Sequence, residues 1–106
     1  MCALISITQE PNNILRIDGL GRELVDNDAL VKEVTETITA LIDNEGLISG
    51  EIIKVYGPLS VPIAFVLAHK LSPLFKTIAV YDPRLKNKYV VVIVNGGEYS
   101  VGDLVD

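Results

Sequence analysis

The sequence predicts a compact, Rossmann-like α/β sandwich with an N-terminal hairpin and antiparallel strands at the edge of its sheet. Apolar residues make up 49% of the 106 positions but aromatic residues only 6%, so Leu, Ile and Val must build the core, as is typical of packed α/β domains. Strand-like and helix-like periods also follow one another along the chain in the order β, β, α, β, α, β, β, β. A chain of this length closes around one core, which predicts a single domain over residues 1–106.

The first elements are expected to form a β-hairpin. Residues 3–8 and 14–18 are short runs rich in β-branched and aliphatic side chains. A turn-forming cluster, Glu-Pro-Asn-Asn at residues 10–13, separates them. Two such runs joined by so short a connection are expected to pair in antiparallel fashion.

Residues 27–44 have the period of an amphipathic helix. Apolar residues recur there at spacings of three and four, which predicts one buried face made of Leu30, Val34, Ile38, Leu41 and Ile42. Asp26 or Asn27 is expected to cap the start of this helix, and Gly46 lies just past its end.

The middle of the chain predicts a strand, a helix and a second strand. Residues 52–56 are strand-like, and residues 61–71 have the apolar content and length of a helix. Pro62 fits the first turn of that helix, where no amide donor is missed. With a further strand at 77–81, the three elements form a parallel crossover, which is right-handed by default.

The last elements are predicted to be strands as well. Residues 89–94 are apolar without alternation, so this strand is expected to be covered on both faces. Asn-Gly-Gly at residues 95–97 is a turn, and residues 99–105 are expected to supply a last short strand with a kink at Gly102.

The charge distribution favours a small anionic ligand. The net charge of −5 argues against binding long duplex DNA, which needs a basic face. Residues 52–97 nevertheless carry six basic side chains and one acidic side chain. This segment suits a small polyanion in one pocket, although a chance cluster of solvated lysines is the alternative. Neither a membrane span nor a secretion signal is evident, and the lone cysteine has no internal partner, so a cytoplasmic protein is expected.

Two loops are expected at the carboxyl ends of the parallel strands, where ligands bind in α/β sheets. In the first, Gly57 allows close backbone approach, and Ser60 either caps the helix or offers its hydroxyl to a phosphate. The second is the Tyr-Asp-Pro-Arg segment at residues 81–84, directly after a buried strand. Each loop has an ordinary alternative, a Gly-Pro turn in the first and a turn closed by Asp82 in the second.

His69 is the only histidine of the chain and lies near the end of the second predicted helix. A lone histidine at this position is often a surface residue that complements the helix dipole. If the helix end and the 81–84 turn lay at the same edge, however, an imidazole, a carboxylate and a guanidinium would meet. Those groups are suited to the cleavage of a phosphodiester.

Four segments resemble the Csx-three family, also called CRISPR ring nuclease three. They are Gly57-Pro58, the Phe-Val-Leu-Ala-His-Lys segment at 65–70, the Ala-Val-Tyr-Asp-Pro-Arg-Leu segment at 79–85, and Gly102-Asp103. The resemblance covers residues 57–106. The most specific feature of the resemblance is the combination of Leu-Ala-His-Lys at residues 67–70 with Tyr-Asp-Pro-Arg-Leu at residues 81–85.

The resemblance implies both a function and a set of site residues. The family is similar to CRISPR-associated Rossmann folds, forms dimers, binds short adenylate RNA and degrades cyclic tetra-adenylate in a manganese-stimulated reaction. It thus implies a ring nuclease that ends CRISPR type III antiviral signalling as a homodimer, or as a tetramer with ligand. The implied catalytic residues are His69, Asp82 and Arg84; Asp82 and His69 are also the candidate manganese ligands, and the implied ligand-binding residues are Gly57, Pro58, Ser60, Lys70 and Ser72.

One departure from the family pattern keeps other functions open. Family members can carry a further histidine shortly after the Leu-Ala-His-Lys motif, where this chain has Leu71-Ser72-Pro73. A module that binds or sequesters cyclic oligoadenylate without cutting it is therefore one alternative. A manganese-dependent exonuclease acting on short adenylate RNA is another, and a structural subunit without a ligand is a third.

Overall fold

The computed structural model describes residues 5–19, 27–44, 50–57 and 60–106, and its elements follow the predicted order. The strands are β1 (Ile5–Glu10), β2 (Ile14–Gly19), β3 (Gly50–Tyr56), β4 (Phe75–Asp82), β5 (Lys88–Val94) and β6 (Leu104–Val105), and the helices are α1 (Asn27–Asp43) and α2 (Val61–Leu71). A short 3-10 turn, Pro11–Asn13, joins β1 to β2. The predicted hairpin is confirmed, because these two strands pair in antiparallel fashion.

The six strands form one sheet whose spatial order is the chain order, β1-β2-β3-β4-β5-β6. β2, β3 and β4 are parallel, whereas β1, β5 and β6 are antiparallel to their neighbours. Parallel neighbours need crossover connections, and α1 and α2 lie on the two that are required here. The predicted α/β fold with antiparallel edges is confirmed at this level. The Rossmann-like assignment stays a prediction, because a sequential strand order has no reversal point of the doubly wound kind.

Both helices pack against one face of the sheet. The buried apolar residues on this face come from both helices and from three of the strands, and they are Leu15, Ile17, Val34, Ile38, Ile53, Val55, Ile63, Leu67, Leu71, Phe75 and Ile78. This cluster is the main core of the protein, and it packs α2 against β4.

The bounds of the helices follow their sequence signals closely. On α1, Val34 and Ile38 are fully buried, and the other residues of the predicted apolar face pack against the core. The predicted cap Asp26 and Gly46, which was placed just past the helix, lie outside the described residues. Asn27, the alternative cap, is the first residue of α1. α2 matches the predicted span of residues 61–71, with Pro62 in its first turn.

The prediction that β5 is covered on both faces is wrong. Tyr89 and Val91 are buried on the face away from the helices, but the side chain of Val92 is 44% exposed. The pairing of β4 with β5 shifts between Ile78 and Ala79, which leaves Val92 as an extra residue without a partner. On the helix side, Ile93 packs against the core, whereas Val90 and Val92 line an open groove, so this face of β5 is only partly covered.

The last predicted strand is shorter than expected. β6 comprises only Leu104 and Val105, which pair with Val90 and Tyr89. The chain turns at Gly102, whose φ of 96° is a conformation that favours glycine. The predicted kink at this glycine is confirmed as a turn, and it limits the length of the strand.

Thr77 on β4 is fully buried, and its hydroxyl has no hydrogen-bond partner among the described residues. Valine has nearly the same shape without the hydroxyl, so Thr77→Val removes an unpaired buried polar group. We expect the free energy of unfolding, measured by urea denaturation, to rise by about 1 kcal/mol. Thr35 is the matched control, because its hydroxyl donates to the Val31 carbonyl at 2.7 Å and Thr35→Val should give no such gain. A loss of stability in Thr77→Val would contradict the absence of a partner.

Candidate functional site

The two predicted loops meet at one edge of the sheet. β3 and β4 are parallel, so the residues that follow Tyr56 and those that follow Asp82 leave the sheet on the same side. α2 also begins at this edge. The placement agrees with the expectation that the loops converge at the carboxyl ends of the parallel strands.

The turn after β4 holds Arg84 out in solvent. The Oδ1 atom of Asp82 accepts a hydrogen bond from the Arg84 backbone amide at 2.9 Å and lies 3.6 Å from the Arg84 Nε atom. The side chain of Arg84 is 91% exposed, whereas that of Asp82 is 25% exposed. Asp82 thus closes an ordinary turn, which was the alternative predicted for this loop. Its carboxylate also contacts the Arg84 guanidinium, which remains open to an anionic ligand.

Gly57 is required for packing between strands. Its φ is 140°, and a Cβ atom at this position would overlap the carbonyl oxygen of Ile17 on β2. The close approach that was predicted for a ligand is therefore made to the neighbouring strand. Pro58, the second residue of this predicted loop, lies outside the described residues.

We expect Gly57→Ala to lower the free energy of unfolding by roughly 3 kcal/mol, since it combines an unfavourable φ with a backbone clash. Gly102→Ala is the matched control, because Gly102 also has a positive φ but has no atom within 4 Å of an added Cβ. It should cost only about 1 kcal/mol. Urea denaturation measures both changes, and equal losses in the two variants would contradict the role of the Ile17 carbonyl.

Ser60 precedes α2 but does not cap it with its side chain. Its Oγ atom is buried and has no hydrogen-bond partner among the described residues, while its backbone carbonyl accepts from the Ala64 amide at 3.0 Å. Of the two predicted roles, capping by the hydroxyl is thus not observed. The hydroxyl lies at the same edge as Arg84.

His69, Lys70 and Ser72 lie toward the opposite edge of the sheet. α2 runs from the carboxyl end of β3 back to the amino end of β4, and His69 follows Ser60 by nine residues. At 1.5 Å per residue this is roughly 13 Å along the helix axis. Ser72 accepts a hydrogen bond from the Asn95 side chain at 2.8 Å and lines a cavity of about 480 Å³ at that edge with Lys76.

The structure therefore does not bring the three predicted catalytic groups together within one chain. Asp82 and Arg84 are in contact, but His69 is exposed on the third turn of α2. Among the described residues, no three His, Cys, Asp or Glu side chains converge as metal ligands. The described part of a single chain does not fit a manganese ion at Asp82 and His69, and we derive no chemical step through a metal.

A row of aromatic side chains crosses the sheet on the face away from the helices, and it is not among the site residues predicted from the sequence. Tyr56, Tyr81 and Tyr89, here called the tyrosine row, lie side by side on three successive strands. Arg16 lies beside Tyr56 on the strand before them. The ring centroids of Tyr56 and Tyr81 are 4.6 Å apart, and those of Tyr81 and Tyr89 are 5.5 Å apart. A signal was present, because tyrosines directly precede Gly57 and Asp82 at both loops.

Tyr89 is the most deeply buried tyrosine of this row. Burial raises the pKa of the Tyr89 phenol above its ordinary value of 10.0, and the neighbouring Tyr56 and Tyr81 raise it further. The Tyr81 hydroxyl donates to the Oδ1 atom of Asn87 at 2.8 Å. At the loop edge, a cavity of about 250 Å³ is lined by Tyr56, Gly57, Tyr81 and Pro83.

An apolar groove lies on the helix side, between α2 and the uncovered part of β5. Its volume is about 480 Å³, and Ala64, Leu67, Val80 and Val90 are among its lining residues. Phe65 at its rim is 74% exposed. Asp82 also lines this groove, so the carboxylate lies between the helix side and the loop edge.

Comparisons of the chain with protein-family models, with curated proteins and with solved structures find no match. Across the residues that the structure describes, no helix is long and apolar enough to span a membrane.

Proposed function

We propose that the protein binds cyclic tetra-adenylate and cleaves it as a cytoplasmic ring nuclease that switches off CRISPR type III signalling. The observation that carries this proposal is the exposed Arg84 guanidinium, which Asp82 holds at the edge where three parallel strands end. An exposed, fork-shaped cation at such an edge suits a phosphodiester. The resemblance of residues 57–106 to the Csx-three family agrees with this chemistry.

Cleavage would proceed by attack of a ribose 2′-hydroxyl on the adjacent phosphorus. The new 2′-oxygen–phosphorus bond forms as the bond to the 5′-oxygen breaks, which yields a 2′,3′-cyclic phosphate and a 5′-hydroxyl. A base takes the proton of the 2′-hydroxyl, and an acid returns one to the leaving 5′-oxygen. Arg84 stabilises the charge of the phosphorane, Asp82 positions Arg84, and His69 is the group proposed for proton transfer.

We propose that this mechanism uses more than one copy of the chain. His69 lies roughly 13 Å along α2 from the loop edge, so the imidazole that serves Arg84 is proposed to come from a second subunit. A symmetric cyclic ligand also presents equivalent phosphates to equivalent subunits. We therefore propose a homodimer, or a tetramer with ligand, and expect light scattering at micromolar protein concentration to give at least the mass of a dimer. A monomeric mass both with and without cyclic tetra-adenylate would contradict it.

One observation favours a second candidate function. Because the three groups do not meet within one chain, a module that binds or sequesters the nucleotide without cutting it needs only the Arg84 edge. The two candidates separate when pure protein is incubated with cyclic tetra-adenylate, and when its thermal midpoint is measured with and without that ligand. A ring nuclease linearises the ring, whereas a sequestering module is stabilised by a ring that stays intact.

The same experiment addresses the remaining alternatives. Linear tetra-adenylate tests for an exonuclease, and adding or omitting manganese tests whether either activity depends on the metal. A structural subunit predicts that neither adenylate changes the thermal midpoint. If the protein degrades linear tetra-adenylate but leaves cyclic tetra-adenylate intact, the ring nuclease proposal is contradicted.

A further inference from the structure

A small pocket at the loop edge adjoins the tyrosine row, and its lining does not include His69, Asp82 or Arg84. It is lined by Tyr56, Gly57, Tyr81 and Pro83. Tyr56 and Tyr81 are both partly exposed, while Tyr89 behind them is 7% exposed and belongs to the core. The row is therefore buried at Tyr89 and partly accessible at Tyr56 and Tyr81.

We propose that this pocket holds one nucleobase of the adenylate ligand against the rings of Tyr56 and Tyr81, which makes these two tyrosines base-binding residues. The inference rests on the proposed function, and it adds the part of the ligand that a phosphate site leaves unbound. Aromatic side chains at a strand edge, next to a cation, are the usual means of holding unpaired bases.

The size and shape of the pocket favour a base over a whole nucleotide. Its volume of about 250 Å³ is below the roughly 300–1,000 Å³ of pockets that enclose a drug-sized ligand. The two ring centroids are 4.6 Å apart and their planes meet at 57°, so the rings contact each other. A planar base is therefore proposed to stack on their exposed surface in the cavity and not between them.

The charges around the pocket indicate where the phosphate lies. The Arg16 guanidinium carbon is 5.3 Å from the centroid of the Tyr56 ring, but its nitrogens face Asp18 at 3.2 Å and Glu10 at 3.9 Å. Those two carboxylates offset its charge. Arg84 adjoins Pro83, which lines the pocket, and is open to solvent. A base on the tyrosines thus leaves its phosphate on the Arg84 side.

The test compares two probes of equal length and charge, linear tetra-adenylate and an abasic ribose-phosphate tetramer. We expect Tyr56→Leu and Tyr81→Leu each to raise the Kd for tetra-adenylate roughly 5-fold to 150-fold and to leave the Kd for the abasic tetramer unchanged. Tyr56→Phe and Tyr81→Phe keep the rings and should bind tetra-adenylate like the parent. Tyr99→Leu is the matched control, because it removes a tyrosine ring outside the row.

The unmodified protein gives a second readout that does not depend on how a variant folds. The chain contains four tyrosines and no tryptophan, so its intrinsic fluorescence comes from tyrosine. Tetra-adenylate should quench this fluorescence, and the abasic tetramer should not. Leu variants that bind tetra-adenylate as tightly as the parent, or a parent that binds the two tetramers equally well, would overturn the inference.

These outcomes are distinct from a failure of the proposed function. A parent that binds tetra-adenylate through the tyrosines but leaves the cyclic ligand uncut supports the base pocket and contradicts the nuclease. Cleavage of the cyclic ligand with full activity in both Leu variants supports the nuclease and overturns the base pocket. A parent that binds neither tetramer contradicts both.

Discussion

Replacing Arg84 with alanine is expected to slow cleavage of cyclic tetra-adenylate by roughly 100-fold to 1,000-fold, the loss typical of removing one preorganised donor from a charged transition state. Binding of the ring should weaken too, because in the proposed complex the guanidinium also faces the phosphate of the bound substrate. The side chain is 91% exposed and its only ion pair is with Asp82 among the described residues, so the thermal midpoint should stay nearly unaltered.

Two further variants separate the charge of Arg84 from its geometry. Arg84→Lys keeps the positive charge but loses the fork that can hold two phosphate oxygens, so it should recover only part of the rate. Lys86→Ala removes a neighbouring exposed cation from the same turn and serves as the control. Parent-like cleavage in Arg84→Ala, with a normal thermal midpoint, would remove Arg84 from the mechanism.

Replacing His69 with alanine is expected to slow cleavage on the order of 100-fold while the Kd for cyclic tetra-adenylate changes little, since a proton-transfer group acts mainly in the transition state. If His69 serves the Arg84 edge of a second subunit, co-expressed His69→Ala and Arg84→Ala chains should regain activity. Random pairing makes half of the dimers mixed, and each mixed dimer has one intact site, so about a quarter of the parental activity should return.

The result of co-expression distinguishes a site shared between two subunits from a site within one chain. No recovery beyond the sum of the two single variants would show that His69 and Arg84 act within the same chain, against the roughly 13 Å separation along α2. Parent-like cleavage by His69→Ala alone would remove the imidazole from proton transfer. Lys70, Ser72 or positioning of the substrate would then have to account for the rate.

The helices were predictable because their signals are local. The buried face of α1 follows from the spacing of Val34 and Ile38 with their neighbours, and α2 begins next to Pro62 as its sequence indicates. Coverage of β5 was not predictable in the same way. An apolar run such as the one around Val92 looks buried whether or not a helix reaches it, and the register shift opposite Ala79 depends on the partner strand.

The candidate site was predictable only where its position depends on local sequence. Asp82 and Arg84 follow a strand directly, so their position at the loop edge came from local sequence. The distance of His69 from that edge depends on the direction in which α2 crosses the sheet. The alignment of Tyr56 with Tyr81 depends on strand register, which no short stretch of sequence contains.

Single-turnover cleavage tests the central claim most directly. Pure protein in excess over cyclic tetra-adenylate, with and without manganese, is sampled over time and the products are separated by ion-exchange chromatography. The account predicts that the ring disappears and that linear products ending in a 2′,3′-cyclic phosphate accumulate, with the rate roughly 100-fold or more lower in Arg84→Ala. A ring that stays intact with the parent protein under both conditions would contradict it.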